Sequence, residues 1–269
     1  MISFPNCKIN LGLHILGKRN DGYHDLATVF YPLPVKDVLE IVKAPALQLS
    51  VTGIPVGGPP EKNLCVKAWE LLKTDFPDLS PVTICLHKNI PMGAGLGGGS
   101  ADGAFMLSLL NSKFNLQLSK EQLLQYALQL GSDCPFFIHN QPCLATGRGE
   151  ILTPLTFDLS KYSFLLIHPG VHINTAWAFS QISPTGNGTA LETIVQHPVQ
   201  TWKDQLINDF ETPVTRHHPA LQEIKDRLYE AGAIYASMSG SGSAFYGIFP
   251  KNQLPEIEWP SAYRVFLLP

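Results

Sequence analysis

The stretch PMGAGLGGGSADGAFMLSLL, residues 91–110, places a run of glycines directly before an apolar segment of helical composition. Glycine reaches positive φ and lets a ligand approach the main chain, so such a run leaves backbone N–H groups able to face an anion. The helix predicted after Ser100 directs its unpaired first-turn N–H groups and its positive dipole end to the same place. A strand-like segment, residues 82–86, precedes the glycine run. A linker or a simple glycine turn would not require such a strand before it. The stretch therefore predicts a phosphate site built from backbone.

Two common phosphate motifs do not account for this stretch. A P-loop needs lysine followed by serine or threonine after its last glycine, and no lysine follows these glycines. Gly93, Gly95 and Gly98 fit the spacing G-x-G-x-x-G, but a single match inside a glycine run is a weak signal. Residues 111–118 also lack the second strand and terminal acid of a dinucleotide fold.

The composition indicates a globular chain with few charges. Of the 269 residues, 45% are hydrophobic and 15% charged, and the formal net charge is −3. A sequence-independent nucleic-acid binder would carry a basic surplus, and no apolar run approaches the roughly 20 residues of a membrane span. The five cysteines form no C-x-x-C pair and predict buried thiols. With an N-terminus that lacks signal-peptide features, the sequence predicts a cytoplasmic protein without a nucleic-acid or membrane partner.

The N-terminal segment predicts a strand followed by a turn that carries two rings. Hydrophobic residues alternate with polar ones over residues 7–16, which predicts a half-buried strand with Lys8 and Asn10 side by side on its polar face. From the alternation by itself, an ordinary solvated face is the simpler interpretation. Tyr23 and His24 come just after a turn dipeptide, where an aromatic ring and an imidazole could bind a planar ligand.

Asp133 admits two interpretations. It lies two residues before Pro135, which suits the N-cap of a short helix. A carboxylate beside apolar neighbours is also where a general base is found. Further along, residues 142–152 predict a turn-rich hairpin and residues 183–188 a polar loop. Residues 236–244 form a loop of small residues suited to close approach to a ligand or to the first glycine loop.

Three segments in this order resemble the signature motifs of the GHMP small-molecule kinases. They are CKINLGLHILGKRNDGYHDL (residues 7–26), PMGAGLGGGSADGA (residues 91–104) and MSGSGSAFYGIF (residues 238–249). The resemblance implies an α+β fold of two domains. Residues 1–155 would form a domain like ribosomal protein S5 domain 2 with the ATP loop, and residues 156–269 a ferredoxin-like domain that completes the substrate cleft.

The resemblance also implies ATP as phosphoryl donor, with Mg²⁺ on its phosphates and no protein residue assigned to the metal. The expected acceptor is the 2-hydroxyl of a cytidine diphosphate-linked methylerythritol, in the non-mevalonate route to isoprenoids. The ATP loop would consist of Pro91, Met92, Gly93, Ala94, Gly95, Leu96, Gly97, Gly98, Gly99, Ser100 and Ala101. Many members have a second serine where Ala101 stands, which leaves Ser100 as the hydroxyl nearest to phosphate or metal.

The remaining roles follow from the same resemblance, residue by residue. Asp133 would act as base on the accepting hydroxyl, and Lys8 would hold that hydroxyl and lower its pKa. The pairing would keep both groups charged. The cytidine and other substrate contacts are expected from Tyr23, His24, Phe179, Asn10 and Thr175, with Phe179 stacking on the cytosine face opposite the first ring.

Two alternatives remain open. The chain could be a related kinase for another small alcohol, such as mevalonate, homoserine or a sugar. Tyr23 and His24 argue against this because those acceptors carry no base to stack. It could also be a nucleotide-binding protein that has lost catalysis, which the presence of both Lys8 and Asp133 disfavours.

Overall fold

The computed structural model describes residues 1–184 and 190–269, so that most of the polar loop predicted over residues 183–188 lies outside the described residues. The strands are β1 (Ile2–Ser3), β2 (Asn6–Lys18), β3 (His24–Lys36), β4 (Val38–Lys43), β5 (Gln48–Gly53), β6 (Val82–Lys88), β7 (Cys143–Thr146), β8 (Ile151–Pro154), β9 (Tyr162–His168), β10 (Tyr235–Met238), β11 (Phe245–Pro250) and β12 (Arg264–Leu268). The α-helices are α1 (Leu64–Asp75), α2 (Gly98–Phe114), α3 (Lys120–Leu130), α4 (Cys134–His139), α5 (Thr175–Ser180), α6 (Leu191–Ile194), α7 (Glu211–His217) and α8 (Pro219–Glu230). The predicted α+β class is confirmed.

Contacts divide the chain into two compact units that are interleaved in sequence. The first unit contains residues 1–8, 32–92 and 97–141, and the second contains residues 9–31, 93–96 and 142–269. The predicted domains are consecutive stretches of chain, so these units do not test the boundary at residue 155, which stays a prediction. Across the described residues, no helix combines the length and hydrophobicity that a bilayer span requires.

The first unit places helices α1 to α4 with a four-stranded sheet of order β1-β4-β6-β5. β6 pairs antiparallel with β4 and parallel with β5. Alternate residues of β4 and β6, among them Leu39, Ile41, Ile84 and Leu86, are buried, as the period of two requires. Helix α2 is buried along most of its length, including Ala101, Ala104 and Leu107. Such burial suits a helix that is apolar on most sides.

Strand β2 differs from its prediction. Every residue from Asn6 to Leu13 is buried, including Lys8 and Asn10 at 3% and 2% exposure. The half-buried strand predicted from the alternating pattern is therefore wrong, because the polar face is covered as well. A solvated polar face is excluded for Lys8 and Asn10, and both side chains need partners inside the protein.

The second unit contains helices α5 to α8 and an antiparallel sheet of order β10-β11-β9-β12. Its core includes Leu13, Ile167, Leu221, Ile224 and Phe245. The hairpin predicted over residues 142–152 is confirmed as the antiparallel pair β7 and β8. Residues 28–30 of β3 pair with β7, and the backbone of Leu26 donates to the carbonyl of Gly147 in the β7–β8 turn at 2.8 Å.

Candidate active site

Lys8 and Asp133 form an ion pair within the first unit. The Lys8 Nζ lies 3.6 Å from Asp133 Oδ2, and the two side chains are 4% and 35% exposed. Burial lowers the pKa of Lys8, and the negative charge of Asp133 acts in the opposite direction without cancelling the burial. Burial of Lys8 therefore opposes its ammonium form while Asp133 favours it, and the expectation that the pairing keeps both groups charged stays a prediction.

The side chain of Asp133 does not cap the helix that it precedes. Asp133 occupies the N-cap position of α4, but its backbone is already helical and its carboxylate makes no capping hydrogen bond. Pro135 in the first turn needs no N–H partner, which lowers the demand for a cap. The N-cap interpretation is wrong for the side chain, and the carboxylate contacts Lys8 instead.

The glycine loop leads into helix α2 beside this pair. Gly97 has a φ of +70° and precedes α2 directly, and the first-turn N–H groups of Gly98, Gly99 and Ser100 have no partner within the helix. A Cβ at Gly97 would lie 2.9 Å from the Phe137 ring and 3.2 Å from Lys8 Cε. The Lys8 side chain therefore lies against the start of the helix whose N-terminus is predicted to bind phosphate.

Ser100 contributes a hydroxyl group at the start of this helix. It is half-buried, and it lies close enough to Cys134 to lower the pKa of that thiol, although burial of Cys134 has the larger, opposite effect. Burial raises the pKa of Cys134 to about 12, so the thiol stays neutral. Among the described residues, no cluster of three or more histidine, cysteine or acidic side chains could hold a metal. Mg²⁺ in kinases takes most ligands from phosphate and water, so Asp133 and Ser100 are oxygen groups compatible with such a site.

A buried charge cluster lies beneath the same helix start, and the sequence interpretation missed it. Lys88 Nζ donates to Asp37 Oδ2 and, at 2.6 Å, to Asp102 Oδ2, and all three side chains are at most 4% exposed. Lys88 Nζ would lie 3.5 Å from a Cβ at Gly98. A signal was available, because Lys88 continues the buried alternation of Val82 and the residues after it in β6. A lysine at such a position needs a buried anion.

The second unit contains the other part of the glycine loop. Gly93 and Gly95 have φ values of +65° and +78°. Ser239 Oγ donates to the Gly95 carbonyl at 2.8 Å, and the Ala244 amide donates to the Ala94 carbonyl at 3.1 Å. A Cβ at Gly95 would stand 1.9 Å from the Ser239 carbonyl oxygen. The loop after β10 thus packs on the first glycine loop, which was one of its two predicted roles.

Asn10 is part of this support. Its Nδ2 donates to Thr28 Oγ1 at 2.9 Å, its backbone N–H donates to Ser239 Oγ at 3.2 Å, and Thr28 Oγ1 donates to the Gly12 carbonyl at 2.5 Å. The amide donor of Asn10 therefore has a partner within the protein. Thr28 and Ser239 are structural residues of the site that were not singled out from the sequence, because their partners are distant in the chain.

Of the residues predicted to contact cytidine, the structure brings His24 and Phe179 together. Their rings stack with centroids 4.7 Å apart and planes 15° apart. Tyr23 is 56% exposed, and the guanidinium of Arg148 lies 4.8 Å over its ring. Thr175 begins α5 and is exposed, with its hydroxyl 3.2 Å from that of Ser241. All of these residues belong to the second unit.

Two family models match separate parts of this chain, and known proteins match it over nearly its full length. A family model described as GHMP kinases N terminal domain matches residues 63–141, and one described as GHMP kinases C terminal matches residues 195–258. A 4-diphosphocytidyl-2-C-methyl-D-erythritol kinase of Bacteroides fragilis is 50% identical over 98% of this chain and 97% of its own. The enzyme of that name from Bacteroides thetaiotaomicron is 51% identical over 96% of each chain.

Among solved structures, a crystal structure of 4-(cytidine 5'-diphospho)-2C-methyl-D-erythritol kinase aligns with a TM-score of 0.80. It is 32% identical, and the alignment covers 92% of this chain and 90% of the other. Fold and sequence therefore agree on one family.

Proposed function

Because this chain belongs to the GHMP kinases, a family of small-molecule kinases that use ATP, we propose that it phosphorylates the 2-hydroxyl of 4-diphosphocytidyl-2-C-methyl-D-erythritol. The product would serve non-mevalonate isoprenoid precursor synthesis. The names of relatives that are about 50% identical over nearly full length support this acceptor. We place the reaction in the cytoplasm and assign it no nucleic-acid or membrane partner.

The observation that carries the proposal is the position of Lys8. Its side chain lies 3.6 Å from the Asp133 carboxylate and against Gly97 at the start of α2. Phosphoryl transfer to an alcohol needs a group that takes the hydroxyl proton and a cation beside the oxygen that attacks. Asp133 Oδ2 accepts the proton in this proposal, and the Lys8 ammonium orients the hydroxyl and stabilises its developing negative charge.

Residues 91–101 bind the phosphates of ATP. The N–H groups of Gly98, Gly99 and Ser100 donate to phosphate oxygens, where the positive end of the α2 dipole adds to the attraction. Mg²⁺ would neutralise phosphate charge when ATP is bound, and Asp133 and Ser100 are the residues whose oxygen atoms would hold it. Lys88 and its two carboxylates hold the beginning of α2, and they do not contact substrate in this mechanism.

Aromatic residues of this chain bind the cytidine group of the acceptor. Tyr23, His24 and Phe179 supply two rings for stacking and an imidazole for hydrogen bonding, and Thr175 and Asn10 are further substrate contacts. A mevalonate or homoserine acceptor would leave these rings without a base. The acceptor preference therefore separates this function from that of a related kinase.

ADP release from Mg·ATP tests the proposal, with 4-diphosphocytidyl-2-C-methyl-D-erythritol and mevalonate as separate acceptors. We expect turnover with the cytidylated acceptor alone and a loss of about 10²- to 10⁴-fold in kcat for Asp133→Asn. Asp204→Asn, an exchange of an exposed aspartate, is the control and should retain turnover.

Other results would point to the alternatives. Turnover with mevalonate would contradict the roles of Tyr23, His24 and Phe179 and leave the ATP loop unaffected. Binding of ATP without turnover of either acceptor would favour a nucleotide-binding protein that has lost catalysis. Full turnover by Asp133→Asn would remove Asp133 as the base.

A further inference from the structure

The turn that carries Tyr23 is held by its own charged side chains. The Tyr23 amide donates to Asp21 Oδ1 at 3.1 Å, and the Arg19 amide donates to the Tyr23 carbonyl at 2.8 Å. Arg19 in turn donates through Nη1 to Asp25 at 2.8 Å. These bonds fix the backbone at Tyr23, but they do not restrain its ring, which is 56% exposed.

Arg148 restrains that ring from another part of the second unit. Its guanidinium lies 4.8 Å over the centre of the Tyr23 ring. Arg148 belongs to the β7–β8 turn, which is tied to β3 by the hydrogen bond from the Leu26 amide to the Gly147 carbonyl. Glu150 holds Arg148 in place, because its Oε2 accepts from the Arg148 amide at 2.6 Å and its Oε1 lies 3.6 Å from Nε.

A guanidinium over one face of a phenol ring attracts the ring through its quadrupole and covers that face. The opposite face is then the one left for a planar ligand, and the ring is ordered before the ligand arrives. Binding loses less affinity when a contact side chain is ordered in advance. Neither Arg148 nor Glu150 has any part in the mechanism above.

We propose that Arg148, held by Glu150, is a positioning residue that presents one face of Tyr23 to the base of the cytidine acceptor. This inference rests on the proposed function, since it concerns how the acceptor of that reaction is bound. It identifies the β7–β8 turn as a determinant of acceptor affinity that acts through Tyr23 without contacting substrate.

Steady-state kinetics of Arg148→Ala test the inference first. We expect KM for the cytidylated acceptor to rise about three- to tenfold, with kcat and KM for ATP unchanged. Arg148→Lys should restore most of the affinity, because an ammonium can also lie over the ring. Lys203→Ala is the matched control, since Lys203 lies 4.6 Å over Tyr229 in the same unit, and it should leave KM unchanged.

A double-mutant cycle separates positioning from direct contact. The loss caused by Arg148→Ala should disappear in a Tyr23→Ala background, and it should be equal for cytidine and cytidine 5'-diphosphate in calorimetric titrations. A loss that persists without the Tyr23 ring, or that affects only the diphosphate, would overturn the inference in favour of a phosphate contact. Unchanged affinity in Arg148→Ala would overturn it as well.

The same titrations keep this inference apart from the proposed function. Wild-type protein that binds cytidine but does not phosphorylate the acceptor would contradict the proposed function alone. The cytidine affinities of the wild type and Arg148→Ala could then still be compared. Wild-type protein that binds neither cytidine nor its diphosphate would overturn the inference itself.

Discussion

Replacing Lys88 with methionine would test whether the charge cluster beneath α2 holds this part of the fold. Lys88 is fully buried between Asp37 and Asp102. Asp37 Oδ1 also accepts from the amides of Asn89 and Ile90 at 2.6 and 2.8 Å. Asp102 Oδ1 is buried and has no hydrogen-bond partner among the described residues. Methionine of similar size would leave two buried carboxylates without a cation.

The size of the effect follows from these contacts. Removing one partner of a buried ion pair costs about 3–5 kcal/mol, because the remaining charge is left in a poorly solvated place. For a chain of this length that loss corresponds to a fall in Tm on the order of 6–20 °C. Burial and the charge of Asp37 raise the pKa of Asp102 to about 7 against the opposing effect of Lys88. Protonation of Asp102 should therefore reduce the loss below that pH.

Urea unfolding of Lys88→Met at pH 8.0 and pH 5.5 would measure this loss and its pH dependence. We expect a large loss of stability at pH 8.0 and a smaller one at pH 5.5. A variant that also carries Asp37→Asn and Asp102→Asn should recover much of the stability, since no buried charge remains. A loss below about 1 kcal/mol at pH 8.0, or an equal loss at both pH values, would falsify the electrostatic account.

Three further predictions concern single positions. Gly95→Ala should lower the free energy of unfolding in urea by more than about 2 kcal/mol, because φ is +78° and the new Cβ would stand 1.9 Å from the Ser239 carbonyl oxygen. Gly57→Ala, with open space around it, is the control. An equal loss in both variants would contradict the packing argument. Lys8→Met should reduce kcat at least about 10²-fold, because the proposed mechanism needs a cation beside the attacking hydroxyl. Tm should not fall, because burial lowers the pKa of Lys8 and so opposes its charged form. A clear fall in Tm beside the loss of activity would indicate a structural role instead. Asp102 has a pKa raised to about 7, so its stabilising contribution is present at low pH and is lost as the pH rises through about 7. Asp102→Asn should therefore reduce the fall in Tm between pH 5.5 and 8.0. An unchanged fall in Tm would mean that other groups cause it.

Features that depend on neighbouring residues could be predicted well. Ser119 caps α3 and exchanges hydrogen bonds with Gln122 as its spacing indicates. The strand before the glycine loop, the helix after it and the β7–β8 hairpin also follow from local pattern. Each of these is determined by φ preferences and by periodicity within a few residues.

Features that depend on distant residues could not be predicted in the same way. The alternation in β2 correctly put Lys8 and Asn10 on one face, but it could not show that this face is buried as well. Asp133 has the spacing of an N-cap, and its carboxylate nevertheless contacts Lys8. Arg148 lies on Tyr23 only because the β7–β8 turn is bonded to β3.

The sequence by itself determined the family and the α+β class, and it predicts the backbone phosphate loop, since glycine placement and motif order are local properties. Only the tertiary structure decided which charges are buried and what they contact. It lowers the pKa of Lys8, it places Lys88 between two carboxylates, and it covers one face of Tyr23. The physical reason is that burial and Coulomb interaction depend on the atoms that surround a group in space, and those atoms belong to residues far away along the chain.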